Sequence, residues 1–97
     1  MRPATLEPAT FSFTLAQLEA ITAWATQRPL GLCVRLMSDF DETEEVAEVF
    51  RPGGTPPLWF ITSGGQGNVV LTACNGRTYR FQTVELALAH IVKAEGN

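Results

Sequence analysis

The chain is poor in the side chains that do chemistry. Among 97 residues it has one histidine, one lysine, one tyrosine and two cysteines, and each shortage removes a class of function. Seven Lys and Arg stand against ten Asp and Glu for a net charge of −3, which weakens any binding of a polyanion by general electrostatics. Cys33 and Cys74 lack both the paired spacing of a zinc site and the two-residue gap of a redox motif. They read as packing thiols on strands, unlinked in a reducing compartment, and their spacing leaves open whether the two sulfurs are close in space. No run reaches the ~18–20 apolar residues of a membrane span. The N-terminal segment Met1 to Pro8 has no apolar centre of the kind a secretion signal needs. Together these shortages give the expectation of a cytoplasmic protein with no membrane partner.

What is there is ordinary globular material: 45% of residues are hydrophobic and 18% charged, a balance that folds and is neither low-complexity nor disordered in composition. The length suits one compact domain and is too short for two. Residues 1–10, with two prolines and no apolar periodicity, read as a flexible lead-in to a single domain over 11–95.

A helix-start signal follows. Thr14 can cap the backbone amide of Gln17 while the Gln17 side chain reaches back to Thr14, with Phe13 and Leu18 as the hydrophobic staple. Leu15, Leu18, Ile21 and Ala25, with Trp24 beside them, form its apolar stripe, and Pro29 stops the helix near Gln27. Leu30 to Met37 alternates with a period of two and reads as a strand. The acidic run from Asp39 to Glu45 leads into Val46 to Arg51, which fits either a short helix or a strand. A simple hairpin with the preceding strand favours the strand.

Pro52 to Pro57 breaks the chain before Leu58 to Thr62, a strand apolar on both faces. Ser63 to Asn68 turns it into Val69 to Cys74, and Asn75-Gly76 is a strong two-residue hairpin signal. That turn would set Thr72 opposite Tyr79 and Val70 opposite Phe81. Thr83 then caps a last helix with Glu85 in its first turn, Lys93 in its last, and Val84, Ala87, Leu88 and Ile91 as its buried stripe. The predicted class is α+β: an antiparallel sheet of four or five strands with an N-terminal and a C-terminal helix on one face.

The candidate sites each meet a simpler explanation. Gly64-Gly65-Gln66-Gly67 joins two strands and lacks the Lys and Ser or Thr that a phosphate loop needs, so it reads as a turn. Setting a calcium loop at Asp39 puts Glu44 where glycine must turn and Phe50 where a bidentate Glu belongs. The run is then a solvated loop, or a negative patch for a basic partner. His90, beside the buried stripe of the last helix, has no nucleophile tied to it by any known spacing. No catalytic, cofactor or metal residue is assigned.

Arg35, Arg77, Arg80, Trp59 and Tyr79 lie on predicted strands, and a basic sheet with exposed aromatics is one way to stack single-stranded bases. The order helix, antiparallel strands, helix also resembles the topology of the double-stranded RNA-binding domain. In that family lysines at the start of the last helix contact phosphate, whereas Thr83-Val84-Glu85-Leu86 stands here. Nucleic-acid binding is the second reading, opposed by the net charge.

The leading expectation is a small non-enzymatic interaction or regulatory domain whose partner is protein. Two helices cover one sheet face, and the strands are apolar on both, so the other face calls for a second copy of the chain. With the aromatic side of the last hairpin turned to the helices, the expected homodimer interface is Trp59, Ile61, Val69, Leu71 and Ala73, rimmed by Arg80. A third reading is an acidic accessory protein occupying a basic site on another macromolecule. The absence of any ligand set of the right spacing makes one expectation direct: zinc, calcium or magnesium will not raise the melting temperature. An upward shift at near-physiological concentration would show a native-state site, because binding to the folded state stabilises it by mass action.

Overall fold

A computed structural model describes residues 12–38, 44–53 and 56–96. The 1–10 lead-in and most of the acidic run lie outside those residues. The order is α1 (Leu15–Gln27), β1 (Cys33–Ser38), β2 (Glu45–Phe50), β3 (Trp59–Gly65), β4 (Asn68–Ala73), β5 (Thr78–Phe81) and α2 (Val84–Glu95), with a short 3-10 turn over Pro29–Gly31. The strands form one antiparallel sheet in the order of the chain, β1-β2-β3-β4-β5. The protein is therefore α+β, as its patterning predicts, with five strands where the double-stranded RNA-binding topology has three. No helix among the described residues is long and apolar enough to cross a membrane.

Both helices begin where their caps place them. The Gln17 amide donates to Thr14 Oγ1 at 3.1 Å and the Thr14 amide to Gln17 Oε1 at 2.9 Å, so two otherwise orphaned N–H groups are satisfied reciprocally. Gln17 is itself buried, and its Nε2 donates to the Gly67 carbonyl at 3.0 Å, pinning the start of α1 to the β3–β4 turn. At the other end Arg28 takes a left-handed conformation with φ +48° and closes the helix on Ala25. Leu30 at φ +57° and Gly31 at φ +76° continue that reversal, which is why β1 starts at Cys33 and not at Leu30. Thr83 caps α2 by accepting from the Leu86 amide at 3.2 Å.

Residues 45–50 form a strand, so hairpin closure with β1 outweighs the helical spacing of Val46, Val49 and Phe50. The β3–β4 turn has Gln66 at φ +56° and Gly67 at φ +84°, positive at both central positions as a type I′ hairpin requires. The Asn75-Gly76 turn is different. The Gly76 amide donates to the Ala73 carbonyl at 2.9 Å and the Ala73 amide to the Arg77 carbonyl at 2.8 Å, so Cys74, Asn75 and Gly76 close the loop together. Gly76 alone takes positive φ, at +93°, the mark of a type I turn followed by a bulge.

That extra residue shifts the register by one. Leu71 pairs with Tyr79, Val70 with Arg80 and Val69 with Phe81, in place of the expected Thr72–Tyr79 and Val70–Phe81 pairs. Because side chains alternate strictly, a one-residue slip exchanges faces between strands. Tyr79 and Phe81 thus join Val69, Leu71 and Ala73 on the side of the helices.

The core lies between that side and the helices. Ala47 and Val49 of β2, Trp59 and Ile61 of β3, and Val69 and Leu71 of β4 meet Ile21 of α1 and Val84, Ala87, Leu88 and Ile91 of α2. Leu18 and Trp24 pack at its margin, but Leu15 is 72% exposed. At ~100° per residue Leu15 points ~120° away from Ile21, which takes it off the buried stripe. Ile21→Ala and Leu88→Ala should each cost ~2–5 kcal/mol through lost transfer and cavity formation. Leu15→Ala should stay within ~0.5 kcal/mol, and denaturant melts of the three variants distinguish the sites.

Candidate functional site: the open face of the sheet

Both helices sit on one side of the sheet, so the other side carries no second layer among the described residues. The strand pairings arrange it in rows. One runs Arg35–Glu48–Phe60–Thr72–Thr78 and the next Met37–Val46–Thr62–Val70–Arg80, with Cys33 beside Phe50 at the β1–β2 end. Phe50, Phe60, Val46, Val70, Thr62 and Thr72 are half-buried by their neighbours alone, Thr78 is exposed, and Met37 is 42% exposed. The centre is thus aromatic and β-branched.

Among the described residues of the five strands, charge on this face comes from the Arg35–Glu48 pair and from Arg80. Arg35 Nη2 lies 2.8 Å from Glu48 Oε1, and the same guanidinium stands 5.3 Å over the Phe50 ring. The cation is held by a carboxylate and by an aromatic face, so it adds little free charge to the surface. Arg80 lies across β4 toward β3: a Cβ on Gly64 would meet its Nη1 at 2.7 Å, so the missing side chain at Gly64 is what gives the guanidinium its place. It marks the β5 rim.

The register shift decides where the expected interface residues fall. Trp59, Ile61, Val69 and Leu71 are 6% exposed or less, and they and Ala73 face the helices, so these five belong to the core. Arg80 alone of the six stands on the open face. Sequence reasoning missed Phe50, Phe60, Val46 and Val70. The alternation of each strand was visible, but which alternate set met the helices depended on one loop residue.

The other candidate groups are drawn into packing. His90 sits among Trp59, Tyr79 and Phe81, with ring centroids at 5.7, 4.7 and 5.5 Å. The Trp59 indole N–H donates to Glu95 Oε2 at 2.8 Å, and Glu95 Oε1 lies 3.3 Å from Arg51 Nη2. Trp59 and Tyr79 therefore belong to a cluster beneath α2, and neither ring is available to stack a base on the open face. Cys33 is half-buried with its sulfur accepting from Arg28 Nη2 at 3.2 Å, whereas Cys74 is exposed in the β4–β5 turn and not on a strand. Three strand spacings of ~4.8 Å separate β1 from β4, which puts the two thiols ~14 Å apart, beyond disulfide reach. Glu45, the last acid of the run, accepts from the Phe13 amide at 2.8 Å and holds the entry to α1. Among the described residues no three His, Cys, Asp or Glu side chains group as a metal site.

Comparison with protein-family models, curated proteins and solved structures gave no match. What the open face can do must therefore be argued from its chemistry. Among the described residues it offers Arg80 and the neutralised Arg35 as cations, too few to hold a phosphate backbone. Mixed-sequence DNA or RNA should not bind below about micromolar concentration at physiological salt. Tight, steeply salt-dependent binding lost in Arg80→Ala and Phe60→Ala would establish the nucleic-acid reading instead.

Proposed function

We propose that the chain is a small non-enzymatic interaction domain of the cytoplasm that self-associates through the open face of its sheet. One observation carries this reading: Phe50, Phe60, Val46, Val70 and Met37 stand on the side of the sheet opposite both helices, interspersed with Thr62, Thr72 and the Arg35–Glu48 pair. Large apolar patches are uncommon on isolated monomers, and a closed twofold pair is the commonest way to cover a sheet face of this composition. Two such faces would pack ~10 Å apart as the layers of a sandwich, with Arg35 and Arg80 rooted on the outer strands and Glu48 held by Arg35 beside Phe60.

Size bears on the strength of the contact. Five strands at ~4.8 Å by six residues at ~3.3 Å project a face of ~480 Å² per copy, and ~1,000 Å² for two lies at the lower bound of a specific interface. The expected pair is weak enough to exchange, which suits a regulatory module. Phe60 stands at the middle of this face, directly opposite Glu48 on one side and Thr72 on the other. Phe60→Asp should halve the mass measured by sedimentation at tens of micromolar while far-ultraviolet circular dichroism stays native. Sedimentation of the unmutated protein as a 10.6 kDa monomer would overturn the reading.

A further inference from the structure

The two edges of the sheet are built differently. β5 is four residues long and carries Arg80, so it offers little to an incoming strand. β1 is six residues long, and among the described residues no strand lies beyond it. Four of its six residues are exposed, including Leu36 at 49% and Met37 at 42%. Proteins usually blunt such an edge with lysine, proline, a bulge or brevity. β1 has no lysine, no proline and no break in its register with β2, and its one charge, Arg35, is tied to Glu48. Beside it, on the helix side, a groove of about 330 Å³ is lined by Ile21, Thr22, Ala25 and Thr26 of α1 and by Val34 and Leu36 of β1.

An outer row of backbone N–H and C=O groups next to an apolar groove is a site for an extended chain. The backbone supplies the affinity, and the groove takes alternate side chains. We propose that β1 is completed by β1 of a second copy, the two strands running antiparallel about a twofold axis at Leu36, which joins two five-stranded sheets into one of ten strands.

The sequence of β1 selects that axis. Residues directly opposite in an antiparallel pair share a side of the sheet, so a twofold pairing centres on a single residue, here Arg35 or Leu36. Centring on Arg35 sets two guanidinium groups face to face, which is destabilising. Centring on Leu36 sets leucine against leucine, Arg35 against Met37 and Val34 against Ser38, with no like charges opposed. The axis stands perpendicular to the sheet, so both copies of α1 lie on the same side, flank to flank. The residues on that flank are Thr22, Ala25 and Thr26, small enough for two helices to approach above the joined strands. The partner's Leu36 then enters the groove that is otherwise half-walled.

This contact uses a different surface from the open face, and the two are separable by mass. With both in place the unmutated protein assembles as four copies, two ten-stranded sheets face to face. Phe60→Asp then leaves the edge-paired dimer, whereas Leu36→Lys or Thr22→Arg, both at exposed positions, leaves the face-paired dimer. In a chain with Cys33→Ser and Cys74→Ser, Leu36→Cys should cross-link two copies under mild oxidation, seen as a doubled band without reductant, while Arg35→Cys should not. The proposal is overturned if Leu36→Lys and Thr22→Arg leave the mass of the Phe60→Asp protein unchanged, or if the cross-link forms through Arg35→Cys and not through Leu36→Cys. If instead Phe60→Asp has no effect on mass while Leu36→Lys halves it, the edge contact stands and the open-face reading fails.

Discussion

Two helices of 13 and 12 residues have to cover a sheet whose strands follow one another in chain order, and the odd number of strands dictates how. In an antiparallel meander of five, β1 and β5 run the same way. A helix that leads into β1 and a helix that leaves β5 must then both travel against that direction, so α1 and α2 lie parallel. The contacts agree. The start of α1 reaches the β3–β4 turn through Gln17 and Gly67, the start of α2 borders the same cavity, and at the far end Gly96 approaches Leu30. Each helix is ~20 Å long and most strands about the same, so two helices side by side span one face and leave no further described element to span the other.

Much of this arrangement can be read from local sequence. The Thr14–Gln17 capping box, the Thr83 cap and the buried stripe of α2 concern residues three or four apart, where spacing alone fixes geometry. Strand existence was equally legible from alternation and from the glycine and proline breaks. The choice of face was not. Asn75-Gly76 serves a two-residue type I′ turn and a three-residue type I turn with a glycine bulge equally well, because both place Gly76 at positive φ. The two differ by one residue in register, and that residue decided whether Tyr79 shares a side with Leu71 or with Thr72. Trp59, Ile61, Val69 and Leu71 were read as an outer surface for this reason, although their apolar character was never in doubt.

Polar groups at the margins show how the covered face is held in register. Trp59 is the largest side chain in the core, and its indole N–H would be left without a partner there but for Glu95 at the end of α2. Glu95 in turn faces Arg51 at the end of β2, and Arg51 Nη1 donates to the Leu30 carbonyl at 3.1 Å. One carboxylate thereby connects β3, β2 and the turn after α1 at the end of the molecule away from the Thr14 and Thr83 caps. Similar roles fall to Gln17 and Glu45 at the opposite end. These contacts absorb much of the chain's scarce polar chemistry into structure.

The same arithmetic of layers bears on assembly. A chain of this length buries only ~60–65% of the surface of its unfolded form, and a two-layer fold with one bare sheet face stands at the low end of what a single core can stabilise. Aromatic and β-branched residues at Phe50, Phe60, Val46 and Val70 are not needed for the helix-side core, since they point away from it. Their strand propensity explains β-branched residues on an outer face, but it would be met as well by threonine, which the chain uses at Thr62, Thr72 and Thr78 in the same rows. Phenylalanine at two adjacent central strands adds apolar area that hydration disfavours unless something covers it. An interaction surface is the economical account of that excess, and a contact of modest projected area gains most when a second, independent contact raises the effective concentration of the first.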